Sequence, residues 1–170
     1  MPRTFEEIAG EELDGLYHGS LFLCGGDESR AEELLIAAIR RASASFADAP
    51  RRDGAPQRRW LEGLMVDTFL RSAPAPRPRV LGGRVPGRER EAALAEVTPR
   101  RLYHGAGRVP PRARGALWLV LVRRWRYTDV ADALGVRPHA LQDLLAYRDV
   151  VLSALLNGGG RRAAGEIQEM

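Results

Sequence analysis

Arg126, Arg137, His139, Gln142, Asp143 and Arg148 lie in one short span, and their side chains are of the kinds that meet nucleic acid. A guanidinium fork matches phosphate oxygens, and an amide such as Gln142 can pair with an adenine edge. Asp143 could accept a hydrogen bond from cytosine, but it would repel neighbouring phosphates. Catalytic chemistry has less to work with. His18, His104 and His139 are widely separated and Cys24 is the single thiol, so the spacing predicts no metal site, no cofactor and no nucleophile–base pair. Gly158-Gly159-Gly160 lacks the Gly-Lys-Ser/Thr context of a phosphate-binding loop. The expectation is a non-enzyme without a small-molecule substrate.

The span has a recognisable local architecture. In YTDVADALGVRPHALQDLL, Tyr127 to Leu145, the residues Val130, Ala131 and Leu134 recur at helical spacing, and Gly135 ends the run. Pro138 suits the first turn of a second helix carrying Leu141, Leu144 and Leu145. Two short helices crossing at a small residue and a glycine predict a helix-turn-helix, whose second helix can enter a DNA major groove. His139, Ala140, Gln142, Asp143 and Ala146 would then face outward. The second helix is predicted to run on through Tyr147 and Val151 to Leu156, with the three glycines ending the fold.

Upstream, the patterning is helical throughout, and the fold class expected is all-α. Thr4 and Glu7 have capping-box spacing before a first helix with Ile8, Leu13 and Leu16, interrupted near Gly10 and continuing through Leu21 to Leu23. Ser29 and Glu32 have the same spacing before a stripe of Leu34, Leu35, Ala38, Ile39 and Ala42. A loop over Ala49 to Pro56 and a helix over Arg58 to Arg71 complete a first domain, residues 1–71. Residues 72–99 form a Pro/Arg/Gly linker with a short helix over Arg88 to Val97. A second domain, 100–160, contains an apolar helix from Arg112 to Trp125 and the helix-turn-helix; 161–170 are a polar tail. Trp118 and Trp125 are expected in the core or at a domain contact.

Every one of the 26 basic residues is arginine, and the net charge is +4. Residues 1–71 hold 9 arginines against 13 acids, whereas 72–111 hold 8 against 3 and 112–160 hold 7 against 4. A nucleic-acid partner would therefore be steered to the second half. With 45% hydrophobic residues and no apolar run of membrane-spanning length, the composition predicts a folded, soluble, cytoplasmic protein that does not engage a membrane.

The order of these features resembles the two-domain extracytoplasmic-function group of the sigma-70 family. VPPRARGALWLVLVRRWRYTDVADALGV looks like the family's region 4, with Val109-Pro110, Arg114, the apolar Ala116 to Val122, and then Tyr127, Val130, Ala131, Leu134 and Gly135 at the motif positions. AEELLIAAIRRAS, Ala31 to Ser43, and RRWLEGLMVDTFLR are similar to the two helices of region 2, with Ile36 where glutamine is usual and Trp60-Leu61 kept. The resemblance implies that the first domain docks on RNA polymerase core and opens promoter DNA, and that the second reads promoter DNA upstream. It makes Glu32, Glu33, Ile36, Arg40 and Trp60 the candidates for contact with polymerase or another protein.

Two departures bear on that implication. The first domain is net acidic, and Asp67, where a DNA-facing polar residue is usual, would oppose a phosphate backbone. Asp143 and Leu144 stand where basic and small polar residues are usual in the recognition helix. Two readings follow. One is a transcription initiation factor that binds polymerase and promoter DNA. The other is a degenerate sigma-like protein that acts mainly by binding protein, an anti-sigma factor or the transcription machinery, and reads little DNA sequence.

Overall fold

The computed structural model describes residues 3–50, 54–73 and 97–163, with side chains described to residue 155. The described residues form an all-α protein of two helical clusters, roughly residues 5–72 and 99–155, joined by a linker. Of the linker expected over 72–99, with its short helix over Arg88 to Val97, residues 74–96 lie outside the described residues, as do residues 164–170 of the tail expected over 161–170.

Helix α1 spans Phe5–Cys24. Its start is fixed as the sequence suggests: Thr4 Oγ1 accepts from the Glu7 amide at 3.3 Å, and Glu7 Oε2 accepts from the Thr4 amide at 2.9 Å. The helix runs through Gly10 without interruption. A mid-helix glycine costs about 1 kcal/mol, and burial of Ile8 and Leu16 on either side offsets it. The helix stops at Gly25, in the left-handed region with φ 69°, where the Gly26 amide donates to the Leu21 carbonyl at 2.8 Å. Helix α2, Glu28–Ala44, is capped by Asp27, which accepts from the Arg30 amide at 3.1 Å. The expected Ser29 box is not used, because Asp27, two residues earlier, already caps the open amides. A 3-10 turn, Phe46–Asp48, leads toward α3, Ala55–Ser72. This helix begins three residues before the expected Arg58, since Pro56 sits in its first turn, where no amide is needed.

In the second cluster, α4 spans Pro99–Ala106, with Thr98 as its cap, and α5 spans Pro111–Leu117. The expected helix to Trp125 ends sooner. Trp118–Val122 widens into one π-helical turn, with the Arg123 amide donating to the Trp118 carbonyl at 3.0 Å, and the chain then turns sharply. Helix α6, Tyr127–Leu134, and α7, Pro138–Ala146, form the helix-turn-helix-like pair. Gly135 makes the turn at φ 60°, and the Val136 amide closes it on the Ala131 carbonyl at 2.9 Å. Two expectations fail at the end. Tyr147 separates α7 from α8, Arg148–Ala163, and its amide donates a hydrogen bond to the Leu144 carbonyl that tightens the last turn. The three glycines do not stop α8, which continues through them.

One hydrophobic core runs through both clusters. Trp118, Leu119 and Met65 are essentially inaccessible, as is Leu23. The clusters close on each other where side chains are missing. A Cβ added at Gly19 would lie 2.4 Å from Trp118 Cζ2 and 2.7 Å from Met65 Cε, and one added at Gly25 would lie 2.7 Å from the Gly107 Cα. Glycine at these positions lets α1 seat the tryptophan and lets two loops touch backbone to backbone. Gly19→Ala should therefore destabilise the fold by about 1–3 kcal/mol through overpacking. A urea midpoint unchanged from the natural protein would contradict the seating of Trp118 on α1.

Candidate nucleic-acid interface

The outer face of α7 is open. His139, Gln142 and Asp143 are exposed, as are Arg137 before the helix and Arg148 after it, and Arg126 is exposed at the start of α6. The inner face is closed by Leu141, buried against Val130, Ala131 and Leu134 of the same core. Leu144 also packs partly against that core. It therefore serves the packed side of the helix, and the outer face is left to His139, Gln142 and Asp143. A cleft of about 450 Å³ borders α7, walled by Tyr127, Pro138, Gln142, Ala146 and Arg148. Tyr127, 63% exposed, gives it an aromatic edge.

The helix starts differ in a way that bears on charge. Thr4, Asp27 and Thr98 each cap their helix with a side-chain oxygen. The cap positions of α6 and α7 are Arg126 and Arg137, and neither makes a side-chain cap bond. A helix start carries partial positive charge, so a guanidinium beside open amides adds to a field that suits an anion. Acids temper it: Asp132 and Asp143 are exposed on the same pair of helices, and Arg148 Nε lies 3.8 Å from Asp149 Oδ1. Asp129 is committed elsewhere, 3.3 Å from Arg59 Nη1 on α3.

In the first cluster, Glu32, Glu33, Ile36 and Arg40 share the outer face of α2, and Ile36 is 51% exposed. Trp60 is engaged differently. It is half-buried with its ring 6.4 Å from that of Phe46, which in turn meets Phe5 edge-on at 5.6 Å. Asp67 does not stand as an unopposed charge. Arg41 Nη1 lies 2.6 Å from its Oδ2, and Arg71 Nε donates to the same oxygen at 3.0 Å. Partial burial would raise this carboxyl, but the two arginines outweigh it and hold it below the ordinary aspartate value.

Sequence reasoning missed the polar contacts between the clusters. Glu62 is 2% exposed on α3, where Arg123 Nη2 and Nε bind Oε1 and Trp125 Nε1 donates to Oε2 at 2.6 Å. Arg123 also lies 3.7 Å from Glu12 on α1. Arg114 reaches from α5 to the carbonyls of Leu23, Gly107 and Val109, the last at 2.9 Å, and stacks over the Phe69 ring. Burial lowers its pKa to about 10. The signal was phase: Glu62 stands in register with the apolar Met65, Val66 and Phe69, and a charge on such a stripe needs a partner. Burial likewise raises the pKa of the Cys24 thiol, which keeps it protonated and inert.

Among the described residues, no cluster of metal-ligating side chains occurs, and no helix is long and apolar enough to cross a membrane. The chain matches no family model and no curated protein.

Because Asp67 binds its proton less tightly when folded, the unfolded chain takes up that proton first as pH falls. Its ion pairs thus contribute stability above the ordinary aspartate value of about 4, and the contribution fades as pH drops through the lower folded value. Asp67→Asn should lower stability at neutral pH and flatten the decline below about pH 4. Denaturation curves with the same acid slope in both proteins would contradict the pairing.

Proposed function

We propose that this protein is a sigma-factor-like transcription initiation protein. It docks on RNA polymerase core through the α2 face of Glu32, Glu33, Ile36 and Arg40, and it binds promoter DNA through α7. It carries out no chemistry of its own, needs no cofactor and works in the cytoplasm beside the transcription machinery. The observation that carries the reading is the open outer face of α7, flanked by Arg126, Arg137 and Arg148, while the inner residues of the helix-turn-helix-like pair, Val130, Ala131, Leu134 and Leu141, are buried in the core. The order of motifs in the sequence supports the same assignment. Arginines at helix starts suit backbone phosphates, and Gln142 suits a base edge.

A second reading keeps the sigma-like frame but makes protein the main partner, an anti-sigma factor or a component of the transcription machinery. Asp132 and Asp143, exposed on the helix pair, favour it, because protein surfaces accept acids that phosphates repel.

Titration of the whole protein with duplex DNA separates the two. Three phosphate contacts would weaken binding about 40-fold between about 50 and about 200 mM salt. Replacing Arg126, Arg137 and Arg148 with alanine should reduce affinity evenly across sequences, whereas Gln142→Ala should change preference among them. No binding at low salt, together with a polymerase complex that survives those substitutions, would leave the protein-binding reading standing.

A further inference from the structure

The turn between the π-helical segment and α6 is Arg123-Arg124-Trp125, and its outer two residues share one buried carboxylate on the other cluster. Arg124, between them, has φ 58°, which no other non-glycine among the described residues adopts. A bulky residue in this region is disfavoured by contact between its Cβ and the backbone. It persists where surrounding contacts over-determine it. Here the determinants are visible: Arg123 and Trp125 both turn inward to the oxygens of Glu62, and Arg124 is left exposed at the surface. Arg126, the next exposed guanidinium, opens α6.

We infer that Glu62 is a positioning residue for the helix-turn-helix-like pair: from the first cluster it holds Arg123 and Trp125, fixes Arg124 in its left-handed conformation, and so sets how Arg124 and Arg126 are presented at the start of α6. Arg124 thereby joins the phosphate-facing set. This last step rests on the DNA-binding reading, whereas the hold of Glu62 on the turn does not. The first cluster becomes a part of the recognition apparatus without touching DNA. Glu12 and Arg59 border the same junction, the former 3.7 Å from Arg123 and the latter paired with Asp129.

The test uses the whole chain labelled with fluorotryptophan, whose three tryptophans give three fluorine resonances. Glu62→Gln removes the charge at nearly constant volume. It should move the Trp125 resonance most, with a smaller shift at Trp118, whose ring faces Arg123, and weaken duplex DNA binding about tenfold, as for the loss of one charge-assisted contact. Arg124→Gly should not lower the melting temperature, since glycine takes this conformation freely, and its effect should depend on whether Glu62 is present. If Glu62→Gln fails to fold, Glu62→Asp carries the same readouts with the charge retained. An unmoved Trp125 resonance, or strictly additive effects of the changes at 62 and 124, would overturn the inference. Equal DNA affinity in the natural protein and Glu62→Gln would overturn its extension to Arg124. A natural protein that binds no DNA would instead sink the functional reading, with the fluorine spectra still deciding the hold on the turn.

Discussion

The segment Leu117 to Val120 is apolar on every side, so no face of it can be given to water. One helical cluster cannot surround it. The first cluster therefore supplies the missing wall, with Gly19 and Met65 receiving Trp118 and Val66 lying against Gly115. Once that burial is satisfied, the remaining geometry is narrowly constrained. Arg114 must find carbonyls and Glu62 must find cations; Arg114 reaches Leu23 across the junction as well as Gly107 and Val109 in its own cluster, and Glu62 finds Arg123 across it. Removing one partner from such a buried set costs far more than a surface pair contributes, because the other charge stays desolvated.

What could be read from the chain divides along the same line. The capping box at Thr4, the stop at Gly25, the stripe through Leu34 and Ala38, and the turn at Gly135 are local features, and each stands in the structure where the residues suggest. On α7 the outward placing of His139, Gln142, Asp143 and Ala146 also followed from periodicity, whereas Ala140, expected beside them, is half-buried. Trp118 and Trp125 lie in the core and at the junction, as their surroundings implied. The burial of Glu62 was not legible because its partners are distant in sequence, and the early end of α5 and the separation of α7 from α8 at Tyr147 turn on local backbone hydrogen bonds that the side-chain pattern does not mark. Nothing in RRW alone says that two of its members will share a carboxylate some sixty positions earlier, although a lone acid within an apolar stripe marks a residue in search of one.

Function follows from what the burial leaves outside. Joining the clusters consumes Glu62, Arg114, Arg123 and Trp125, and it ties Asp129 to Arg59. It leaves the α2 face with Glu32, Glu33 and Ile36, and the α7 face with Arg137, Gln142 and Asp143. The proposed division of labour assigns protein contact to the first and DNA to the second. On the proposed DNA-binding reading, the weak acid–base balance on α7 would make phosphate contact at the helix starts the main source of affinity, with base reading by Gln142 a smaller contribution.

The most direct measurement is amide hydrogen exchange of the whole protein with and without duplex DNA at low salt. The account predicts slowed exchange at the starts of α6 and α7 and along Gln142 and Asp143, with the junction around Glu62 protected equally in both states. Protection confined to the α2 face, or a junction that loses protection when DNA is added, would contradict it.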